Sequence, residues 1–139
     1  MADIERAIKM AVDAHMGQKD KAGAPYILHP LRVMADVEGE AEKIVAILHD
    51  VVEDTAITIE DLETEGFSDE ICAGVAAMTK IEGESYDAYL QRVKKNSIAH
   101  RVKLADLKDN MNLSRLPELN PELFQKYEKY HRAWQFLTS

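Results

Sequence analysis

The stretch Ala41-Glu42-Lys43-Ile44-Val45-Ala46-Ile47-Leu48-His49-Asp50-Val51-Val52-Glu53-Asp54 decides the fold. Ile44, Val45, Ile47, Leu48 and Val51 gather on one side of a helix, so the spacing predicts a buried central helix over Ala41–Val52. Near its end this apolar run meets four side chains that carry chemistry. His49 and Asp50 are neighbours that point roughly 100° apart. Both reach one ion if it lies in the wedge between them and other helices complete the shell. Glu53 is i+4 from His49 and Asp54 is i+4 from Asp50, so both carboxylates lie over that pair. Three acidic groups in five residues at a helix C-terminus oppose the helix dipole unless a cation or substrate proton compensates. Taken alone, the pattern also fits a solvated helix end with ordinary acids.

The segments on either side are helical as well. Ile4, Ala7, Ile8, Ala11, Val12 and His15 recur at i, i+3, i+4 with Asp3 as N-cap. Gly17 to Tyr26 carries Gly17, Gly23 and Pro25 and reads as a loop. His29-Pro30 opens a short helix through about Val37. Thr58 starts a helix of one or two turns, and Ser68 another that turns Ile71, Cys72, Val75 and Met78 inward. Ile81–Ser85 is a second loop, followed by helices over Tyr86–Lys95 and Ser97 to about Leu113. Asn120-Pro121-Glu122 starts a last helix that ends near Leu137. No strand run, repeat or linker intervenes. The expectation is one all-α domain over residues 1–139, a compact array of seven or eight helices.

The charge balance narrows the partners. Seventeen Lys and Arg against 25 Asp and Glu give a net charge of −8, which argues against a polymeric nucleic acid held by phosphate electrostatics. A small anionic ligand would need a cation and a few local lysines or arginines. One cysteine, Cys72, rules out an internal disulfide and fits a reducing compartment. With no long apolar stretch and no signal peptide at the N-terminus, the expected setting is cytoplasmic, without a membrane partner.

Other candidates lie far from the central helix. His29 precedes Pro30, where an imidazole can project from the end of an element. Asp106 and Asn110 are i, i+4 on a helix whose other face is apolar through Ile98, Val102 and Ala105. Lys103 is one turn back, where a surface Lys103–Asp106 pair worth about a few tenths of a kcal/mol is the bland alternative. His15 lies on the apolar side of its helix, as a core histidine would. His100 and His131 read as surface or packing residues. Tyr127, Tyr130, Trp134 and Phe136 read as core and rim of the last helix.

The joint occurrence of three segments carries more than any of them alone. His15-Met-Gly-Gln18-Lys-Asp20-Lys21-Ala-Gly23-Ala-Pro25-Tyr26-Ile-Leu-His29-Pro30-Leu31-Arg-Val33 resembles the opening motif of the Rel/SpoT hydrolases. Ile47 to Thr55 resembles their second motif, and Val102 to Asn110 their third. The order His, His-Asp, Asp is that of HD-type metal-dependent phosphohydrolases, and the likeness runs through nearly the whole chain. The chain is, however, too short for the nucleotide-synthesising domain of the long bifunctional enzymes.

The resemblance implies that His29, His49, Asp50 and Asp106 hold one divalent ion, usually Mn²⁺ in this family. It implies that Glu53 and Asp54 handle water and protons, while His15 supports the site without binding the metal. Lys21 would lie beside the nucleotide and Asn110 on its sugar or base side. The implied reaction removes the 3′-diphosphate of guanosine tetra- or pentaphosphate, yielding GDP or GTP and pyrophosphate, by attack of water activated at the metal. Two departures stand out. Asp20 replaces the arginine that usually stacks on guanine; a carboxylate supplies no cationic stack and repels phosphate. Met111 to Arg115 also differs from the usual continuation. Base recognition is therefore expected to be altered, which leaves two alternatives open: an HD phosphohydrolase acting on another nucleotide or cofactor phosphate, and a catalytically silent nucleotide-sensing or interaction module. Substituting arginine for Asp20 is expected to tighten binding of guanosine tetraphosphate. Nothing in the sequence fixes an oligomeric state.

Overall fold

The structure, a computed structural model, describes residues 2–139. Among the described residues eight α-helices follow one another: α1 (Ile4–Ala14), α2 (Leu28–Ala35), α3 (Glu40–Asp54), α4 (Ile59–Glu65), α5 (Asp69–Met78), α6 (Tyr86–Lys95), α7 (Ser97–Asn110) and α8 (Pro121–Thr138). A 3₁₀ turn, Leu113–Arg115, separates the last two. The one β-type pairing among the described residues is an isolated bridge between Lys19 and Pro25, inside the loop after α1.

Most helix starts are written in their caps. Asp3, Thr58, Ser68, Ser85, Asn96 and Asn120 each accept a backbone N–H of the following first turn. The α3 start is different: Gly39 takes φ 85°, a conformation in which a Cβ would run into the Glu42 carboxylate. Three boundaries depart from the sequence expectation by two residues or more, the third helix running on to Asp54 rather than ending at Val52. The second helix stops at Ala35 rather than Val37, because Asp36 already turns back onto Val33. The seventh stops at Asn110 rather than Leu113, because the Asn112 side chain accepts the Ser114 N–H and opens the 3₁₀ turn.

The third helix is the hub, packed by α1, α2, α5 and α7. Ile44, Val45, Ala46, Ile47, Leu48 and Val51 are buried with Val33, Leu62, Val75, Val102 and Leu107 in one core. Gly74 brings α5 close: a Cβ there would stand 3.0 Å from Val45 Cγ2. Helix α8 closes the far side by packing on α6 and α7. His49 and Asp50 are therefore fixed by a helix surrounded on several sides. Leu48 is fully buried, and Leu48→Ala is expected to cost about 2–4 kcal/mol in chemical denaturation through lost burial plus cavity. A cost below about 1 kcal/mol would mean α3 is not the packing centre.

Candidate metal centre

Three elements bring four side chains together at the C-terminal half of α3. His29 comes from the start of α2, His49 and Asp50 from α3, and Asp106 from the last turns of α7. All but Asp50 are buried, and the Asp50 side chain is only 17% exposed. His29 Nε2 lies 2.8 Å from Asp106 Oδ1 and 3.7 Å from Asp50 Oδ2. His49 Nε2 lies 3.2 Å from Asp106 Oδ1 and 3.1 Å from Asp50 Oδ2. Ligand atoms of His29, His49 and Asp50 all fall within 4.8 Å of one another. Donors about 2.1 Å from a shared ion stand roughly 3.0–3.4 Å apart at right or tetrahedral angles, so these three could hold one ion, while Asp106 lies outside that three-residue group and bonds both imidazoles through Oδ1.

The imidazoles are oriented for it. His29 Nδ1 bonds Asp109 Oδ2 at 2.7 Å, and His49 Nδ1 bonds the Ala46 carbonyl at 2.5 Å. Both Nδ1 atoms act as donors, so in the neutral form each imidazole would present its Nε2 lone pair to the centre. Asp109 is itself held by Arg32, Nε to Oδ1 at 2.8 Å, and by Arg115. The carboxylates are positioned too. Tyr26 donates its hydroxyl to Asp50 Oδ2 at 2.5 Å, Lys103 reaches Asp106 Oδ2 at 2.9 Å, and Asn110 Nδ2 donates to Asp106 Oδ1 at 3.3 Å. The Lys103–Asp106 pair is thus an inward pair, its side chains 12% and 6% exposed, rather than a surface pair.

The local electrostatics favour a cation. Burial opposes charge on His29 and His49, yet the surrounding carboxylates raise both pKa values above the ordinary imidazole value, His49 strongly. Burial pushes Asp50 up, but the His49 charge and hydrogen bond outweigh it and hold Asp50 at about 2. Burial also opposes charge on Asp106; Lys103 and the two imidazoles keep it well below the carboxylate range. A positive charge between the Nε2 atoms and the carboxylates is what these groups would stabilise, and their N/O donor set suits a Mn, Fe or Zn ion.

The remaining candidates lie outside this cluster. Asp54 has its pKa raised by burial and by the charge of Asp50. Glu53 Oε2 accepts the Lys80 N–H at 2.9 Å, tying the acid end of α3 to the loop after α5. Lys21 and Asn110 line a cavity of about 330 Å³ that opens beside His29, together with Tyr26, Arg115, Lys126 and Tyr130. His15 is buried outside the ligand cluster, its Nδ1 on Gln18 Oε1 at 2.9 Å and its ring 5.1 Å from that of Tyr26. Its Nε2 is the one buried side-chain polar atom among the described residues without a partner. Asp20 also lines the cavity, but its Oδ1 accepts the N–H groups of Ala22 and Ala24 at 2.9 Å each. The carboxylate is therefore a turn-former.

Tyr26, Arg32 and Asp109 escaped the sequence reading although each lies within three residues of a named candidate, His29 or Asp106. The i+3 spacing of Asp106 and Asp109 was the available signal. Lys126 and Tyr130 had none, because only the packing of α8 brings them to the cavity. His100 is a packing residue, as expected; its Nε2 donates to the Leu137 carbonyl at 2.6 Å.

This arrangement has known counterparts. The HD domain family matches residues 7–112. Among curated proteins, the chain is 34% identical over 121 residues to guanosine-3′,5′-bis(diphosphate) 3′-pyrophosphohydrolase of Aquifex aeolicus, covering 78% of this chain and 17% of that protein. It is 36% identical over 128 residues to a GTP pyrophosphokinase of Streptomyces coelicolor, covering 83% of this chain and 15% of that one. The chain thus spans about a sixth of the length of these relatives. Among solved structures, a metazoan orthologue of SpoT that hydrolyses ppGpp superposes with a TM-score of 0.80 at 25% identity, over 99% of this chain and 85% of that one. With the match running through the segments that carry His29, His49, Asp50 and Asp106, this chain belongs to the HD domain family.

Proposed function

We propose that the chain is a metal-dependent phosphohydrolase that removes the 3′-diphosphate from a guanosine tetra- or pentaphosphate. In this reading His29, His49, Asp50 and Asp106 hold one divalent ion, Mn²⁺ by preference. The observation that carries it is the convergence of two Nε2 atoms and two carboxylates beside a cavity walled by lysines and tyrosines. A bound divalent ion supplies Lewis-acid polarisation of a phosphoryl oxygen and eases deprotonation of the attacking water. The protein's own groups do the rest. Glu53 takes a proton from water, and Asp54, biased towards its protonated form, gives one to the departing 3′-oxygen. The water oxygen bonds to phosphorus as the bond from phosphorus to the 3′-oxygen breaks, leaving pyrophosphate and the 5′-di- or triphosphate. Lys21 and Asn110 position the nucleotide from the cavity wall, and buried His15 supports the Tyr26 side of the site. The absence of any helix long and apolar enough to cross a membrane, among the described residues, accords with action in the cytoplasm on a small nucleotide.

Asp20 favours a second reading, hydrolysis of another nucleotide or cofactor phosphate, because it occupies the sequence position at which the resemblance expects a guanine-stacking arginine. A panel of nucleotides with Mn²⁺, assayed separately for phosphate and pyrophosphate, tests both. Pyrophosphate from guanosine tetraphosphate supports the first reading, and phosphate from a different compound the second; no product from any compound defeats both. The turn around Asp20 also decides which variant to make. Asp20→Arg would lose two backbone hydrogen bonds, whereas Asp20→Asn keeps the acceptor and removes the charge. Asp20→Asn is expected to lower KM for guanosine tetraphosphate by up to about fivefold, the effect of one exposed charge, with kcat unchanged. An unchanged KM would show that the Asp20 charge does not face the phosphates.

A further inference from the structure

A second group of cations stands outside the lining of the cavity beside His29, close enough for its charge to act on Lys126 in the cavity wall. Lys80 follows α5 and Lys129 lies on α8, and both ammonium groups sit over one aromatic ring. Lys129 Nζ is 4.1 Å and Lys80 Nζ 5.7 Å from the Tyr86 centroid. Tyr86 stacks on Tyr89 at 5.8 Å, and Lys103, the partner of Asp106, stands 5.5 Å over Tyr89. A continuous layer of cations and tyrosines therefore leads from the ligand carboxylate Asp106 to Lys129. Among the described residues, neither Lys80 nor Lys129 has a carboxylate within ion-pair distance.

Like charges crowded without a counter-charge cost free energy that a bound anion repays. The crowding registers in the groups themselves: burial and the charges of Lys80 and Lys103 push Lys129 down, and Lys21 heads the causes that push Lys126 down to about 8. The Lys80 backbone is held on two sides. Its N–H is on Glu53, and Arg92 ties the neighbouring Thr79 carbonyl at 2.9 Å and Glu84 at 2.6 Å. Lys80 is thus anchored against the acid end of α3, next to the residues assigned to proton transfer.

We propose that Lys80 and Lys129, gathered over Tyr86, seat the terminal phosphoryl group of a departing diphosphate, so that the site expels pyrophosphate rather than phosphate. This rests on the phosphohydrolase reading above and specifies the group that is transferred to water. The metal centre takes the phosphoryl group that water attacks, and the lysine pair takes the next one along the chain. A monophosphate ester leaves this seat empty, while a diphosphate fills both positions.

Binding of inorganic pyrophosphate and of orthophosphate to the full chain with Mn²⁺ tests the proposal by calorimetry. The Lys80→Ala/Lys129→Ala variant is expected to bind pyrophosphate at least about tenfold more weakly, the effect of losing charge-assisted hydrogen bonds. Orthophosphate should change less than about twofold, and Lys80→Arg/Lys129→Arg should restore most of the pyrophosphate affinity. Both lysines are exposed, so neither substitution disturbs the core. Unchanged pyrophosphate affinity, an equal loss for both anions, or a wild type that does not bind pyrophosphate would each overturn the assignment. Failure of the wild type to hydrolyse any nucleotide would instead overturn the enzymatic reading, since anion binding is read without turnover.

Discussion

Asp106→Asn is expected to weaken divalent-metal binding by at least about a hundredfold and to lower kcat by about a thousandfold or more. Asp106 Oδ1 faces both imidazole Nε2 atoms, at 2.8 and 3.2 Å. Replacing a carboxylate by an amide removes a full negative charge from the middle of the donor set. Asparagine is the informative substitution because the other oxygen neutralises Lys103, whose charge alanine would leave without an acceptor. His49→Ala should act in the same direction through loss of a nitrogen donor. Asp109→Asn, which loosens only the hold on His29 Nδ1, should cost about 10–100-fold in metal affinity. Metal content and melting temperature with and without Mn²⁺ read the result. Ligand present at 100 times its dissociation constant stabilises the folded state by about 2.7 kcal/mol, so the wild type should melt higher with Mn²⁺ and the two ligand variants should not. Full metal occupancy in both Asp106→Asn and His49→Ala would rule out this ligand set.

The helices were legible because their signals are local. Asp3, Ser68 and Asn120 sit next to apolar periodicity, and their caps are where the spacing puts them. The end of α7 was not, because Asn112 competes for the backbone through a side-chain bond that periodicity does not contain. In the site, His29, His49, Asp50 and Asp106 were named because their residue types and order match a family pattern. The groups that orient them were harder to see. Asp109 shares a helix face with Asp106, yet it becomes informative only when folding brings it to His29, eighty residues away along the chain. Asp20 shows the converse. Its charge was read only against substrate, whereas its Oδ1 also closes the turn to Ala22 and Ala24. Lys129 and Tyr86 carried no local signal at all, since their meeting depends on how α8 lies against α6.

Glu53→Gln and Asp54→Asn are each expected to retain metal and to lose about 10²–10⁴ in kcat, the usual effect of removing a positioned acid or base. The two should differ in how they do so. Glu53 Oε2 holds the Lys80 N–H, and glutamine keeps an oxygen for that bond, so Glu53→Gln should fold normally and lose only the base. Asp54, although exposed, is pushed above the ordinary carboxyl value by partial desolvation, by Asp50 and by Glu53, which keeps its proton to higher pH than an isolated aspartate would. A group that must be protonated to act loses activity as pH rises through its pKa. Asp54→Asn should therefore abolish the alkaline limb of the kcat profile that belongs to this acid. A substrate with a better leaving group needs less protonation, so it should rescue Asp54→Asn and leave Glu53→Gln impaired. Wild-type turnover in either variant would remove that residue from proton transfer. Rescue of both variants by the better leaving group would mean that the acid and base roles are not divided between them.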